Sequence, residues 1–468
     1  MSEEKKQKDK FSYEAKNAWL EMGEDEREEV FSFNKEYADF LTANKTEREF
    51  VKAAVKKLEA AGFKNIKQYE ELKKGDKIYV LNRSRALMAA VIGEKELTDG
   101  LKIVGSHIDS PRLDLKPNPL YEAGELGLFK THYYGGVKKY QWVTMPLALH
   151  GIVVKDDGTE VEINIGEKES DPIFFISDLL PHLGKSQMKK SMKEGITGEK
   201  LNLVVGSIPV ADEDAKEKIK TAILEHLNKE YGIKEEDFMS ADLQAVPAFK
   251  TRDAGFDRGL LAGYGHDDRV CSFTALEAIL DLGQPKYTSM ILLMDREEVG
   301  SMGSTGMQSH FFEDQLANLV DLYYDSYSEL LLRRVMQNSK VISADVNAAY
   351  DPDFAELYAK YNSAYLGKGI VISKYTGARG KAGASEASAE FMAEIRGLFN
   401  NKGVIWQTAE LGRIDEGGGG TIAKFLANYN MDVVDSGPPV LSMHSPYEVV
   451  SKVDVYNSYL AYNVFLEN

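Results

Sequence analysis

Cysteine is nearly absent: Cys271 is the only one in 468 residues. A single thiol excludes an intrachain disulfide and points to a reducing compartment. Long apolar runs are missing too, and no stretch approaches the roughly 18 apolar residues that a membrane helix needs. There is no basic block either; 57 Lys and Arg face 74 Asp and Glu, a formal charge of -17. Phosphate backbones require clustered cations, so nucleic acid is excluded as the main partner. Substrate charge stays open, because a pocket can oppose the field of the whole chain. The first ten residues hold no apolar segment of the signal-peptide kind. That predicts a cytoplasmic protein with a frayed charged tail. No internal repeat is visible.

What remains is the composition of a soluble globular protein, 43% hydrophobic and 28% charged, long enough for two or three domains. Thr46-Glu-Arg-Glu49 is a capping box ahead of Phe50, Val51, Ala54, Val55 and Leu58, with Gly62 as the stop. This pattern predicts an amphipathic helix. Strands are expected near 77–82, 87–92 and 101–105. From about 118 the texture turns to β. Asp157-Gly158 between two alternating runs predicts a hairpin, 187–205 reads as a lysine-rich loop, and a helix is expected over 213–231. Beyond 250, strands are expected at 290–294, 317–323, 340–344, 369–374, 403–408 and 440–443. Helices are expected at 270–282, 383–398, 420–430 and 452–465. Alternation of this kind predicts an α/β sheet with helices on both faces. The chain therefore divides into a catalytic domain in two parts, 1–117 and 247–468, around a β-rich insertion, 118–246.

The chemistry gathers where the strands end. Met290-Ile-Leu-Leu-Met294 delivers two adjacent carboxylates, Glu297 and Glu298, into a segment with glycines at 300, 303 and 306. Neighbouring carboxylates at the end of a buried strand need compensating positive charge. Four other stretches offer metal-ligand residue types: His107-Ile-Asp109, Asp267-Asp268-Arg269, Ser343-Ala-Asp345 and Ser442-Met-His444. Taken singly, each reads as a satisfied histidine, a helix cap or a turn cap. Together they form a mixed nitrogen and oxygen field suited to zinc, cobalt or manganese. Charge also balances when two divalent ions meet Asp267, Glu298, Asp345 and one hydroxide, leaving Glu297 over as a base. Glycines 417–420 lack the Gly-Lys-Ser/Thr ending of a phosphate loop and read as a close-approach loop.

In order, spacing and flanks, these motifs resemble the aspartyl-aminopeptidase-like family of two-zinc exopeptidases along nearly the whole chain. Tyr134-Gly-Gly136 and residues 176–183 resemble that family's dimerisation domain. The resemblance implies an α/β fold: a zinc-exopeptidase-like mixed sheet flanked by helices, with an inserted β-rich dimerisation domain. It implies that His107, Asp267 and Asp345 bind one zinc, and Asp267, Glu298 and His444 the other, with Asp267 shared. Glu297 matches the general acid/base and Asp109 the carboxylate that orients His107. His182 matches a histidine lent to a neighbouring subunit's active site. Peptides with a free N-terminus are the implied substrates, and dimers building a larger closed shell the implied assembly. The chain departs from the family's eukaryotic members after Asp345, where Asn347-Ala-Ala-Tyr-Asp351 replaces their histidines. Their pocket lysine, which favours acidic N-terminal residues, finds only Lys374, Arg379 and Lys381 nearby as substrate-binding counterparts. Two rival readings are a two-zinc amidohydrolase that deacylates amino acids, and a scaffold with purely structural metals.

Overall fold

The strand Ser289–Met294 is buried at every position, as its unbroken apolar run requires of a strand covered on both faces. Ile291 and Leu293 enter one hydrophobic cluster, and Met290, Leu292 and Met294 enter a second. Side chains of a strand alternate between faces, so one short run supports two cores. The computed structural model describes residues 11–468; the charged first ten residues, expected to fray, lie outside the described residues.

This strand lies within a nine-stranded sheet, whose order is Lys64–Asn65, Lys77–Asn82, Ala86–Val91, Ser289–Met294, Lys102–His107, Lys340–Ser343, Asp432–Gly437, Ile370–Ser373, Trp406–Thr408. The central four, from Ser289–Met294 to Asp432–Gly437, run parallel. Antiparallel partners flank them on both sides. The helices Glu24–Ala43, Glu47–Ala60, His266–Leu280, Ala389–Lys402 and Lys452–Glu467 supply the first cluster. Phe311–Tyr323, Glu329–Asn338 and Ala423–Ala427 supply the second, on the opposite face.

The Thr46 cap forms as expected: its hydroxyl accepts from the Glu49 amide, and the Glu49 carboxylate accepts from the Thr46 amide at 3.0 Å. Residues 317–323, expected as a strand, instead complete the helix Phe311–Tyr323. Phe312, Leu316, Leu319 and Val320 fill one face at helical spacing. A short apolar run does not by itself distinguish strand from helix. The helix expected over 383–398 begins only at Ala389, where Ser388 caps it by accepting from Phe391 N. The twenty-residue helix Glu24–Ala43 is not legible in the sequence, because Asn34 interrupts its buried stripe of Val30, Tyr37 and Leu41.

A second sheet, of six strands, has the order Glu160–Ile165, Leu147–Val154, Ala241–Pro247, Arg112–Ala123, Leu126–Tyr134, Leu203–Gly206. It contains the hairpin at Asp157-Gly158, with Gly158 in the left-handed region at φ 82. A third sheet, Arg252–Ala254, Leu260–Gly263, Glu448–Ser451, Pro439–Leu441, Asn347–Ala348, stands beside the large one.

The six-stranded sheet is pinned to the helix Glu47–Ala60 through His150. This buried imidazole has Nδ1 2.8 Å from Glu49 Oε1 and Nε2 3.0 Å from Glu167 Oε1. Asn164 lies beside the ring, and Lys45 Nζ reaches the same Glu167 oxygen at 2.5 Å. Burial alone lowers the His150 pKa, but the Glu167 and Glu49 carboxylates raise it above its ordinary value. A group whose folded-state pKa is raised stabilises fully below its unfolded pKa, about 6.5 for histidine. The stabilisation is lost as pH rises through the folded value. We therefore expect His150→Gln to cost roughly 1.5–3 kcal/mol below about pH 6.5, the scale of hydrogen bonds to charged groups. The deficit should shrink at alkaline pH. Thermal unfolding of both proteins across pH measures it, and a pH-independent deficit would contradict the assignment.

Candidate metal centre

The four parallel strands share one carboxyl edge, which in open α/β sheets is where sites form. His107 is the last residue of its strand, and Asp345 follows the end of Lys340–Ser343 by two. Glu297 and Glu298 open a short 3-10 turn just beyond Met294. Asp267 stands in the first turn of the helix His266–Leu280, joined to Asp268 by a cis peptide bond. His444 comes from the third sheet, in the link between Pro439–Leu441 and Glu448–Ser451.

Several of these links hold non-glycine residues in the left-handed region: Arg296 at φ 69, Ser442 at φ 57 and His444 itself at φ 66. Such conformations cost on the order of 1–3 kcal/mol each and persist only where neighbours over-determine them. Glu448 supplies that constraint at His444. Its Oε1 accepts from His444 N at 2.7 Å, and its Oε2 accepts from Asp267 N at 3.0 Å.

Two groups of ligand atoms result, His107 with Asp267 and Asp345, and Asp267 with Glu298 and His444; within each, the ligand atoms lie within 4.8 Å of one another. Asp267 belongs to both. Its Oδ1 faces His107 Nε2 at 3.4 Å and its Oδ2 faces His444 Nε2 at 3.1 Å, while Glu298 Oε2 lies 3.5 Å from the same His444 nitrogen. The Nδ1 of each ring lies 3.0 Å from a backbone carbonyl, that of Asp109 for His107 and that of Gly136 for His444. Donation there leaves the Nε2 lone pair of each imidazole aimed into the cleft, the tautomer a metal requires.

Asp109 was expected to orient His107 with its carboxylate, which stands 3.4 Å from Nδ1. The nearer contact is through its main-chain oxygen. The carboxylate also accepts from Glu297 N at 3.0 Å, from Glu298 N at 3.2 Å and from the Tyr134 hydroxyl at 2.8 Å.

The electrostatics show a site short of positive charge. Burial, then repulsion from neighbouring carboxylates, raises Asp345 and Glu298 well above the usual carboxylate range, and burial raises Glu297 as well. Burial would raise Asp267 too, yet the two imidazoles hold it below its ordinary value. Burial would lower His444, but Asp267 and Glu298 push it up to about 10. Glu298 Oε1 is buried without a protein hydrogen-bond partner. Divalent cations would ionise the carboxylates, keep both imidazoles neutral and occupy that orphaned oxygen, so the donor set fits a pair of them.

The ligand atoms open onto a cleft of about 500 Å³. Glu297 lines it but belongs to neither group of ligands. Lys374 does not reach it. Ser373, the last residue of its strand, lines the cleft, whereas Lys374, just beyond the strand, lines a separate one of about 950 Å³ with Tyr13, Arg396 and Trp406. The cation that does line the metal cleft is Lys424. His182 is exposed on the six-stranded domain, outside this chain's cleft. Glu448 and Lys424 were missed in the sequence, and Tyr134 was read there only as part of the Tyr134-Gly-Gly136 resemblance to a dimerisation domain. The partners that Glu448 and Tyr134 reach, Asp267 and Asp109, lie far from them in the chain or outside their motif.

Comparison with known proteins places this geometry in context. A family model described as "Aminopeptidase I zinc metalloprotease (M18)" matches residues 40–466. A Clostridium acetobutylicum protein described as "Probable M18 family aminopeptidase 1" is 50% identical over 459 residues, 97% of this chain and 98% of that one. The crystal structure of an M18-family aminopeptidase from Thermotoga maritima superposes with a TM-score of 0.94 at 45% identity, over 97% of this chain and 100% of that one. The S. cerevesiae mApe1 dodecamer shares the fold, with a TM-score of 0.75 at 23% identity, over 93% of this chain and 96% of that one.

Proposed function

From the premise that this chain belongs to the M18 aminopeptidase family of zinc metalloproteases, we propose that it removes N-terminal residues from peptides with two zinc ions in the cleft around Asp267. The observation that carries the two-ion reading is Asp267 itself, one oxygen toward each imidazole and a member of both ligand groups. His107 and Asp345 complete one set, Glu298 and His444 the other. Bound zinc would supply Lewis acidity, polarising a scissile carbonyl and lowering the pKa of a water toward about 7.

The chain's own groups do the rest. Glu297, raised by burial and free of the ligand sets, takes a proton from the attacking water and passes it to the leaving amine. The ring of carboxylates attracts a protonated α-amine, which restricts the enzyme to free N-termini. Lys374 lines a different cleft, so a preference for acidic residues does not rest on it.

The family match does not favour the deacylase alternative. The test is a panel of unblocked and N-acetylated aminoacyl substrates, assayed on metal-free protein and after addition of Zn²⁺, Co²⁺ or Mn²⁺. Metal-dependent release from unblocked substrates alone is the expected result, and its ranking gives the specificity. Cleavage of the acetylated set would establish the deacylase.

No helix among the described residues is long and apolar enough to cross a membrane. The one cysteine is buried and free, in keeping with a cytoplasmic enzyme. Ile173, Phe175, Leu179, Leu180 and Leu183 are exposed on the six-stranded domain around His182. An apolar surface of this kind marks an interface, and we assign it to homo-oligomer assembly, the arrangement of the yeast dodecamer. Sedimentation is expected to give an assembly of dimers that carries His182 toward a neighbour's cleft. A monomer would remove both claims.

A further inference from the structure

The six-stranded domain reaches the metal centre through three consecutive residues. Tyr134, the last of the strand Leu126–Tyr134, donates its hydroxyl to Asp109 Oδ2 at 2.8 Å. The Gly136 carbonyl lies 3.0 Å from His444 Nδ1. Between them Gly135, at φ 76, lies so close that a Cβ there would stand 3.3 Å from both Cβ and Oε2 of Glu298. A Cβ on Gly136 would stand 3.1 Å from His444 Nδ1.

The segment is itself held firmly. Tyr134 pairs in register with Arg112, whose guanidinium lies 3.8 Å from the tyrosine ring centroid. Arg112 is buried, with Nε 2.8 Å from Asp114 Oδ1 and Nη1 3.5 Å from Glu47 Oε2. Glu47 in turn belongs to the helix Glu47–Ala60, which packs in the first hydrophobic cluster beside the large sheet. Through Asp109, which accepts from the amides of both Glu297 and Glu298, the tyrosine hydroxyl is coupled to the turn that bears the base.

We propose that Tyr134-Gly135-Gly136 is a positioning clamp, by which the inserted sheet orients His444, Glu298 and the Glu297 turn for catalysis. The proposal rests on the two-ion reading above. The three residues act through Asp109, Glu298 and His444. Removing the Tyr134 hydroxyl takes away one of the three donors that hold the Asp109 carboxylate and so loosens its grip on the Glu297 amide. Adding a methyl at Gly136 turns the His444 ring. Partners that orient metal ligands are typically worth 10–100-fold in metal affinity or activity.

The test compares Tyr134→Phe and Gly136→Ala with the wild type by zinc titration, by the absorption spectrum of the Co²⁺-loaded protein and by steady-state kinetics. Tyr134→Phe is expected to lower kcat about 10-fold with KM within about twofold. Gly136→Ala is expected to weaken one of the two zinc ions about 10-fold, leave the other unchanged and shift the Co²⁺ spectrum. The control is Phe129→Leu, which loosens the core of the same strand, packed on Phe238, without touching the clamp. It should keep kcat. Fewer than two zinc ions in the wild type would overturn the two-ion reading. Two ions in the wild type, with Tyr134→Phe behaving like it, would overturn the clamp alone. An equal loss in Phe129→Leu would overturn it too, by tracing the effect to general loosening of the domain.

Discussion

Glu297→Gln is expected to retain both zinc ions and the wild-type melting temperature while lowering kcat by at least about 100-fold, within the range for loss of a general base. The side chain lines the cleft and belongs to neither ligand set, so its charge is not needed to hold metal. Its Oε2 lies 4.0 Å from His107 Nε2. Glutamine matches the shape and keeps the backbone amide that Asp109 holds, but it cannot accept a proton from water. KM should move little, because the substrate is recognised by groups the substitution leaves in place. Zinc analysis with steady-state kinetics on one preparation decides the matter. Turnover near the wild-type rate would remove Glu297 from the role.

The second large effect concerns the shared carboxylate. Asp267→Asn replaces one of the two oxygens that face the imidazoles by an amide and removes the charge common to both ligand sets. Zinc content should fall below one ion per chain. The Lewis acidity lost is worth several kcal/mol, and at about 1.4 kcal/mol per decade that is at least about 1,000-fold in kcat/KM. Asp268→Asn is the informative partner. Asp268 is buried beneath His107 and accepts from its amide at 3.3 Å, and burial holds its pKa well above the carboxylate range. Asp268 belongs to neither ligand group, and an asparagine side-chain carbonyl can still accept from the His107 amide, so both zinc ions should remain. Metal loss in Asp268→Asn but not in Asp267→Asn would reverse the choice of bridging residue.

Much of this candidate site is legible in the sequence. His107, Glu297, Glu298 and Asp345 follow apolar runs short enough to be strands, and a buried strand advertises itself through a continuous local pattern. The capping box at Thr46 and the hairpin at Asp157-Gly158 are equally local, each specified within a few residues. Errors fell where local pattern is ambiguous. The run 317–323 is apolar enough for either period, and packing against the second core made it a helix.

By itself the sequence determined the candidate ligand types, the placement of His107, Glu297, Glu298 and Asp345 at or just beyond strand ends, and the β-rich texture after about 118, because each depends on neighbours in the chain. Only the tertiary structure decided which groups hold those ligands in place. Gly136 meets His444 across 308 positions, and Glu448 meets the Asp267 amide across 181. It also decided that Ser373 rather than Lys374 faces the cleft: Ser373 is the last residue paired with Asp432–Gly437, and Lys374 lies beyond that pairing. Partners this distant leave no periodic trace. The large and third sheets meet in one hydrophobic cluster, and the six-stranded sheet, with a core of its own, joins them through polar contacts such as His150 with Glu49.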